Sequence, residues 1–379
     1  MAQRPRILHL HSSFNLGGKE ARAVRLMNLW GDRLEHSVIS GVPSMMGARS
    51  EIGAHVPVAF PDDAPPLTGR PDPRRWRAIA RYMQRFDLVL TYNWGAMDGV
   101  MARRFWAPFM KLPPLIHHED GFNEDEAEKL NPRRNLYRRV ALAGANALAV
   151  PSERLERIAL HDWRQPRGKV HLIRNGIDIA RYAVPPAPGA IPGFVRQPGK
   201  IVIGTIAGLR AVKNLRRLVR ASARHDARVQ LVIAGEGPER EAIIAEAAAC
   251  GFTGLHMAGF LPEPHRYVGM FDIFALSSDS EQFPISLVEA MAAGLPAIST
   301  DVGDVAAMVT PENLPYVVPI SDESAFSDAI STLSAHESLR RAIGEANRIR
   351  AAALFTEEQM LRSYAQLYGA ALSTPEIFA

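Results

Sequence analysis

Short apolar runs of strand length alternate with amphipathic helical patterns along most of the chain. In the first half, strands are predicted at residues 6–11, 36–40, 87–92, 114–118, 147–151 and 170–174, with helices at 18–30, 73–84, 96–106, 132–143 and 152–161. Strands that are each followed by a helix are typical of a parallel sheet covered by helices on both faces. The first half is therefore predicted to be an α/β domain.

The alternation is interrupted once and then restarts. Residues 184–199 are rich in proline and glycine, which favours a linker. Beyond the linker, strands are predicted at 201–206, 229–234, 272–276 and 296–300, with helices at 213–224, 238–250 and 284–293. A chain of 379 residues is longer than a single core usually supports, so two doubly wound domains are predicted.

Composition narrows the class of protein and its location. No run of eighteen apolar residues occurs, so no membrane span is predicted. The single cysteine, Cys250, cannot form an intramolecular disulfide, and the first residues lead into a strand without the pattern of a secretion signal. Both features predict a reducing, cytoplasmic location.

The charge balance is modestly basic. A formal net charge of +4 and a pI near 9.3 permit an anionic partner, but no nucleic-acid-reading module is recognisable, so nucleic acid is not predicted. Basic and aromatic residues mix at 103–111, and basic pairs follow at 133–134 and 138–139. These segments fit an anionic membrane surface, and they fit a solvated helix flank equally well.

Two carboxylates, Glu281 and Glu289, flank a predicted helix start within residues 279–296. Pro284 fits the first position of that helix, and Gly294 fits a stop after its last turn. Carboxylates accept hydrogen bonds from sugar hydroxyls, and the free amides of a first helical turn attract phosphate. The alternative is that Glu281 only favours the helix dipole while Glu289 is solvated.

A glycine pair, Gly17 and Gly18, separates the first strand from the first helix. Such a turn lets backbone amides approach a diphosphate closely, although it also serves as a plain turn. The three spaced glycines and the later acid of a dinucleotide fingerprint are not both present. Gly235 and Gly237 follow a strand of the second half, where they are predicted to give a tight turn and room for a flat ring.

The loop after strand 201–206 carries two cations, Arg210 and Lys213. Fixed cations can neutralise a departing diphosphate in place of a metal ion. The alternative is a solvated basic loop, since the charge continues along the next helix at Arg216, Arg217 and Arg220.

Four polar residues end the strand at 114–118, namely His117, His118, Glu119 and Asp120. This composition suits a metal site in principle. Consecutive strand residues point to alternate faces and cannot all converge on one ion, so no metal is predicted.

In this order, the motifs resemble the retaining GT-B glycosyltransferases of family four over nearly the whole chain. Glu281 and Glu289 match the family's E-x-x-x-x-x-x-x-E element, and residues 289–296 match its E-A-M-A-x-G-x-P run. Residues 235–238 match its G-x-G-P turn, residues 175–178 are similar to its N-G-V-D hinge, and Gly17 and Gly18 are similar to its glycine loop.

The resemblance implies two Rossmann-like domains that face each other across a cleft. Residues 1–175 would form the acceptor domain and 176–355 the nucleotide-sugar domain, with 356–379 crossing back onto the first domain. In the family's scheme Glu281 contacts the donor sugar, with His117 as first choice and His118 as second for a histidine nearby. Glu289 contacts the ribose, Arg210, Lys213 and Gly18 hold the diphosphate, and the remaining nucleotide positions are Gly17, Gly235, Gly237, Phe283, Pro284 and Ile285.

Three positions depart from the family pattern. The usual G-R-L before the lysine is Ala207-Gly208-Leu209, so Arg210 is the substitute for the missing arginine. Gln282 replaces a frequent glycine, and Ala307 stands where many members have glutamate.

The predicted function is transfer of a sugar, with retention of its anomeric configuration, from a nucleoside-diphosphate sugar to a hydroxyl of a glycan or lipid-linked acceptor. The expected context is bacterial cell-surface polysaccharide synthesis, with no metal or other cofactor and with the inner-membrane surface as a candidate partner. The alternatives are a nucleotide-sugar epimerase of the same fold and a catalytically silent nucleotide-sugar-binding protein.

Overall fold

A computed structural model describes residues 4–122, 126 and 130–378 of the chain. Its internal contacts divide the chain into two compact units, which are treated separately below. Unit 1 comprises Met1–Arg174 and Leu361–Ala379, and unit 2 comprises Asn175–Met360.

Unit 1 is built on a parallel sheet of seven strands in the order β3-β2-β1-β4-β5-β6-β7. The strands are β1 (Arg6–His11), β2 (Glu35–Ser40), β3 (Val58–Ala59), β4 (Leu88–Tyr92), β5 (Leu115–His118), β6 (Ala147–Val150) and β7 (Val170–Leu172). The helices are α1 (Gly18–Trp30), α2 (Pro73–Met83), α3 (Met97–Trp106), α4 (Pro132–Leu142) and α5 (Glu153–His161). Strand order reverses between β1 and β4, which is where open α/β sheets form a crevice.

Unit 2 is built on a parallel sheet of six strands in the order β10-β9-β8-β11-β12-β13. The strands are β8 (Ile201–Ile206), β9 (Val229–Ala234), β10 (Leu255–Gly259), β11 (Ile273–Leu276), β12 (Ala297–Thr300) and β13 (Val317–Val318). The helices are α6 (Leu215–Ala223), α7 (Arg240–Ala249), α8 (Ile285–Ala292), α9 (Val305–Met308), α10 (Glu323–Ala335) and α11 (Glu337–Leu354). Here the strand order reverses between β8 and β11.

The last long helix, α12 (Glu357–Leu372), contributes most of its length to unit 1. Tyr364 and Tyr368 are both 2% exposed there, and Tyr368 packs edge-on against Trp30 of α1 with ring centroids 5.5 Å apart. Burying two large aromatic side chains in this way holds the helix to its unit.

The predicted α/β class and the doubly wound topology are confirmed, and most predicted elements agree with the structure to within two residues. Edge strands β3, β10 and β13 and helices α9 to α11 were not predicted from the sequence. The two-residue strands β3 and β13 are too short for a period-two pattern, and β10 is only half-buried along its length. Within the described residues, no helix combines the length and the apolar character needed to cross a bilayer.

Candidate active site

An ion pair lies where the strand order of unit 2 reverses. Lys213 follows β8 and Glu281 follows β11, two adjacent strands whose carboxyl ends meet at one edge of the sheet. The Lys213 Nζ atom lies 2.5 Å from Oε1 of Glu281, and the hydroxyl of Ser278 donates to the same oxygen over 2.7 Å. The two charged side chains are 15% and 11% exposed, so neither belongs to a solvated surface loop.

Side-chain hydrogen bonds hold the two loops of this pair together. The Ser277 hydroxyl donates to the Lys213 carbonyl over 3.0 Å, and the Asn214 amide donates to both carboxylate oxygens of Asp279. The Thr300 hydroxyl donates to the Ser278 carbonyl over 2.5 Å. The positions of Lys213 and Glu281 are therefore fixed by groups that sequence motifs alone did not identify.

The neighbouring arginines do not form one continuous solvated stripe. The buried Arg217 donates to the Ser277 carbonyl over 2.9 Å and pairs with Asp279 at 2.9 Å. It therefore stabilises the loop that carries Glu281. Arg210 is exposed, and none of the described residues forms an ion pair with it. The structure thus brings Lys213 to Glu281 and leaves Arg210 at the surface.

Helix α8 begins one residue later than the sequence predicts. Pro284 has extended backbone (φ −69°, ψ 107°) and caps the helix, so Ile285 is its first residue. The early amides of this helix have no intrahelical acceptor, which suits an anion. Phe283 packs its ring in the core against Phe355, with centroids 5.5 Å apart, so only its backbone remains for ligand contact.

The second acid, Glu289, is not solvated, contrary to the alternative drawn from its sequence position. It lies inside α8, and burial raises the pKa of its carboxyl to about 7, while a hydrogen bond from Tyr182 acts in the opposite direction. The Tyr182 hydroxyl donates to Oε1 of Glu289 over 3.0 Å. The two residues are 107 positions apart, so no local pattern indicated Tyr182.

Close backbone packing accounts for Gly235 and Gly237. Both adopt positive φ, and a Cβ at Gly235 would lie 1.9 Å from the Ala207 carbonyl oxygen. A Cβ at Gly237 would lie 2.5 Å from the Leu209 carbonyl oxygen. The tight turn is as predicted, but the backbone of residues 207–209 fills the side that the missing side chains leave open.

Gly303 has a similar role at the Glu281 loop and was missed by the sequence analysis. Its φ is +58°, and an added Cβ would lie 2.7 Å from the Glu281 carbonyl oxygen and 2.6 Å from that of Gln282. The Asp304 amide donates to the Gln282 carbonyl over 3.0 Å. The available signal was a glycine just after strand β12, at the same edge of the sheet as Glu281.

In unit 1, Gly17 and Gly18 lie at the start of α1, after β1. Gly17 caps the helix and brings no side-chain acceptor to its first-turn amides. An added Cβ at Gly95, after β4, would lie 2.3 Å from Cβ of Ser12, so the loops at this strand-order reversal touch. The arrangement is compatible with an anion near the α1 amides.

His117 and His118 point to opposite faces of the unit 1 sheet, and both are buried. Nδ1 of His117 lies 2.8 Å from the Thr91 hydroxyl, and its Nε2 lies 3.6 Å from Glu119. Nε2 of His118 lies 2.7 Å from the hydroxyl of Tyr368. His117 is 0% and His118 1% exposed.

His118 belongs to a set of buried imidazoles on one side of the sheet. Nε2 of His9 lies 3.0 Å from Nδ1 of His36, and His11 stacks on Tyr92 with centroids 4.0 Å apart. Burial lowers the pKa of His36 to about 4 and that of His118 to about 3, and it also lowers the pKa of His9 and His11. All four are therefore neutral near pH 7.

Residues 117–120 do not converge on one point. The carboxylate of Asp120 pairs with both terminal nitrogens of Arg22, on the face that holds His118, whereas Glu119 lies near His117 on the other face. In the described part of the chain, no three or more His, Cys, Asp or Glu side chains are grouped so that they could hold a metal ion.

Two Rossmann-like parallel sheets, with a lysine–glutamate pair at the strand-order reversal of the second, define an α/β protein of the GT-B class. Residues 192–350 match the family model of the glycosyl transferases group 1, and residues 16–181 match that of glycosyltransferase family 4. The chain belongs to this glycosyltransferase family, as its motifs predicted.

Individual relatives agree with this assignment. The chain is 33% identical over 174 residues to a putative glycosyltransferase, EpsF, of Bacillus subtilis, covering 44% of this chain and 45% of EpsF. It is 31% identical over 180 residues to a GDP-mannose-dependent alpha-mannosyltransferase of Mycobacterium tuberculosis, covering 46% and 45%. The matched segments thus span just under half of either relative.

Among solved structures, HepE of Anabaena in complex with UDP superposes with a TM-score of 0.76 at 18% identity, covering 96% of this chain and 100% of HepE. At this identity the likeness establishes the fold alone. It confirms the predicted GT-B fold class.

Proposed function

We propose that the chain transfers a hexosyl group from a nucleoside-diphosphate sugar to a hydroxyl of a glycan or lipid-linked acceptor, with retention at the anomeric carbon. The observation that carries the proposal is the Lys213–Glu281 pair just before the start of α8, with Glu289 inside the same helix. These three side chains give unit 2 one cation for a phosphate and two acceptors for sugar hydroxyls.

The proposed chemistry follows from where charge develops. As the bond from the anomeric carbon to the phosphate oxygen breaks, the sugar becomes cationic and the diphosphate gains negative charge. Lys213 and the first-turn amides of α8 stabilise that anion, and Arg210 reaches it from the neighbouring loop when the donor is bound. No bound metal is required in this scheme.

Glu281 and Glu289 position the donor in this proposal. Glu281 accepts from the sugar hydroxyls after Lys213 turns to the phosphate, and Glu289 accepts from the ribose. No protein nucleophile is assigned: the acceptor attacks on the face that the diphosphate leaves, and a phosphate oxygen takes the acceptor's proton. His117 and His118, which lie in unit 1 and are fully buried, are assigned no contact with the donor.

The relatives suggest donors to try first. The mycobacterial relative is named for GDP-mannose, and HepE is described with UDP and, in a second structure, with UDP and glucose. An O-antigen chain mannosyltransferase of Escherichia coli among the relatives and a lipopolysaccharide outer core galactosyltransferase among the structural relatives support a role in cell-surface polysaccharide synthesis. The chain would then act at the cytoplasmic face of the inner membrane.

A thermal-shift screen of the full chain with UDP-, GDP- and ADP-sugars tests donor binding, because a ligand of the native state raises the midpoint of unfolding. Release of the nucleoside diphosphate from the best donor then tests catalysis. Glu281→Ala is expected to abolish release in a protein with an unchanged circular dichroism spectrum. Turnover at the wild-type rate in that variant would remove Glu281 from the site, and an isomerised donor would indicate an epimerase instead.

A further inference from the structure

One surface of unit 1 combines exposed aromatic rings with cations. We name it the α2–α3 face, and it consists of Arg77, Arg81, Arg104, Phe105, Trp106, Phe109 and Lys111. Phe109 is 77% exposed and Phe105 is 50% exposed. Single exposed apolar side chains are common, but a contiguous patch of them marks an interaction site.

The aromatic rings of the face and one of its cations are in contact. Phe105 stacks on Trp76 of α2 with centroids 5.2 Å apart, which holds its ring in place. The guanidinium of Arg77 lies 5.3 Å from the centre of the Trp106 ring, and Trp106 packs edge-on against Phe109 at 6.0 Å. These rings and Arg77 thus form one patch on two packed helices. The other cations of the face are exposed on the same helices and the turn after them, namely Arg81, Arg104 and Lys111.

The basic character of the chain belongs to unit 1, which carries a net charge of +9 against −5 for unit 2. Residues 73–118, which include the face, contain eight Lys and Arg against two Asp and Glu, a net of +6. Residues 131–174 contain ten against three, a net of +7, so the face lies in one of two basic segments of unit 1.

The cations of the face are not neutralised by carboxylates. Elsewhere in the segment, Arg75 pairs with Asp98 and Arg85 pairs with Asp63. Across the described residues, by contrast, no ion pair is formed by four side chains of the face, namely Arg77, Arg81, Arg104 and Lys111.

The structure also changes which residues of the predicted basic segments lie at the surface. Arg138 is fully buried, pairs with Glu126 at 2.8 Å and lies against three aromatic rings, and Arg134 pairs with the same acid at 3.1 Å. Arg138 therefore cannot contact a partner surface, and Arg134 is held half-buried at its acid. Arg133 and Arg139 of the same helix remain exposed, but the exposed aromatic rings lie on α3 and the turn after it.

We infer that the α2–α3 face docks on the surface of an anionic lipid bilayer. Phe109 and Phe105 enter the headgroup layer, and the cations lie against lipid phosphates, which is the pattern of interfacial binding. Helix α3 leads from the carboxyl end of β4 toward the amino end of β5, so Phe109 lies at the opposite edge of the sheet from Gly17. Docking there leaves the crevice edge of unit 1 uncovered.

Co-sedimentation of the full chain with vesicles tests this inference. Vesicles of phosphatidylcholine are compared with vesicles that contain phosphatidylglycerol and phosphatidylcholine in equal parts. The chain is expected to bind the anionic vesicles, to be released as salt rises, and to remain unbound with neutral vesicles. Arg104→Glu with Lys111→Glu, and separately Phe109→Ser, should each weaken binding by about tenfold or more.

Matched controls lie in unit 2, where Phe260 is 69% exposed and Arg228 is also exposed. Phe260→Ser and Arg228→Glu should leave vesicle binding unchanged. A chain that stays in the supernatant with both vesicles overturns the inference, as does equal loss of binding in the controls, or binding to RNA but not to vesicles. Nucleotide release from a soluble donor is measured in parallel: release without vesicle binding refutes only the docking, and vesicle binding without release refutes only the proposed transfer.

Discussion

Lys213 and Glu281 neutralise each other in the free chain, with Nζ and Oε1 2.5 Å apart. A diphosphate competes with the carboxylate for the same ammonium group, because both are anions that accept its hydrogen bonds. Donor binding would therefore release Glu281 toward the sugar at the moment when Lys213 turns to the phosphate. Breaking this one ion pair would thus free both Lys213 and Glu281 to bind the donor.

Replacing Lys213 is expected to weaken donor binding and transfer together. In the proposed mechanism Lys213 meets the departing diphosphate, so Lys213→Ala should lower turnover by about a hundredfold or more. Isothermal titration with the donor and nucleotide-release kinetics measure the two effects. Lys200, whose ammonium donates to the Asp226 carbonyl over 2.7 Å, provides the control, and Lys200→Ala should retain full turnover. Equal activity in both variants would contradict the role of Lys213.

The raised pKa of Glu289 predicts a pH-dependent contribution to stability. The carboxyl titrates near 4.5 in the unfolded chain and near 7 in the folded one, so the folded state holds more protons between these values. The contribution of Glu289 is favourable below pH 4.5 and is lost as pH rises to about 7, a change of about 3 kcal/mol.

Urea unfolding of the wild type and of Glu289→Gln, measured from pH 5 to pH 8, tests this difference. The histidines contribute in the opposite direction over the same range, so the quantity to compare is the difference between the two proteins at each pH. The variant should gain stability relative to the wild type as pH rises. A difference that does not change with pH would mean that Glu289 has an ordinary pKa.

Tyr368 is expected to stabilise the packing of α12 in unit 1 through His118. Nδ1 of His118 faces the Thr91 carbonyl at 3.3 Å and must donate to it, so Nε2 accepts from the Tyr368 hydroxyl at 2.7 Å. Tyr368→Phe leaves Nε2 buried without a donor, at a cost of about 1–3 kcal/mol in the free energy of unfolding. Tyr82→Phe removes only a 3.5 Å bond to Asp63 and should cost much less.

Gly235→Ala should destabilise unit 2 by about 2–4 kcal/mol, because the new Cβ meets the Ala207 carbonyl oxygen in addition to the strained φ of +148°. Gly189 separates the two causes: its φ is +78°, and nothing lies within 4 Å of an added Cβ. Gly189→Ala should therefore cost only the backbone strain, about 1–2 kcal/mol. Equal losses in chemical denaturation would show that the loop contact is unimportant.

The fold was predictable because it depends on local patterns. Apolar strands such as Val229–Ala234 and capped helices such as Pro73–Met83 carry their type in their own residues. The features that the sequence did not reveal depend on contacts between residues that are far apart in the chain. Pro284 shows the limit of local rules, since proline suits both the cap and the first helical position, and only its extended ψ of 107° decides between them.

The candidate site was predictable in its motifs and not in its partners. Glu281, Lys213 and Glu289 follow a spacing that can be seen in the sequence, whereas Tyr182 is joined to Glu289 only by folding. The basic segments show the same limit: Arg138 and Arg104 look alike in the sequence, yet one is fully buried beside Glu126 and the other is exposed. Burial cannot be read from residue type when both lie on amphipathic helices.

The uneven distribution of charge has a practical consequence for handling the protein. Because unit 1 carries +9 and unit 2 carries −5, a cation-exchange resin would hold the chain by unit 1. Its elution would then report on the basic surfaces of unit 1, and a lower eluting salt concentration after Arg104→Glu would show, without any lipid, that this residue lies on the side that meets the resin.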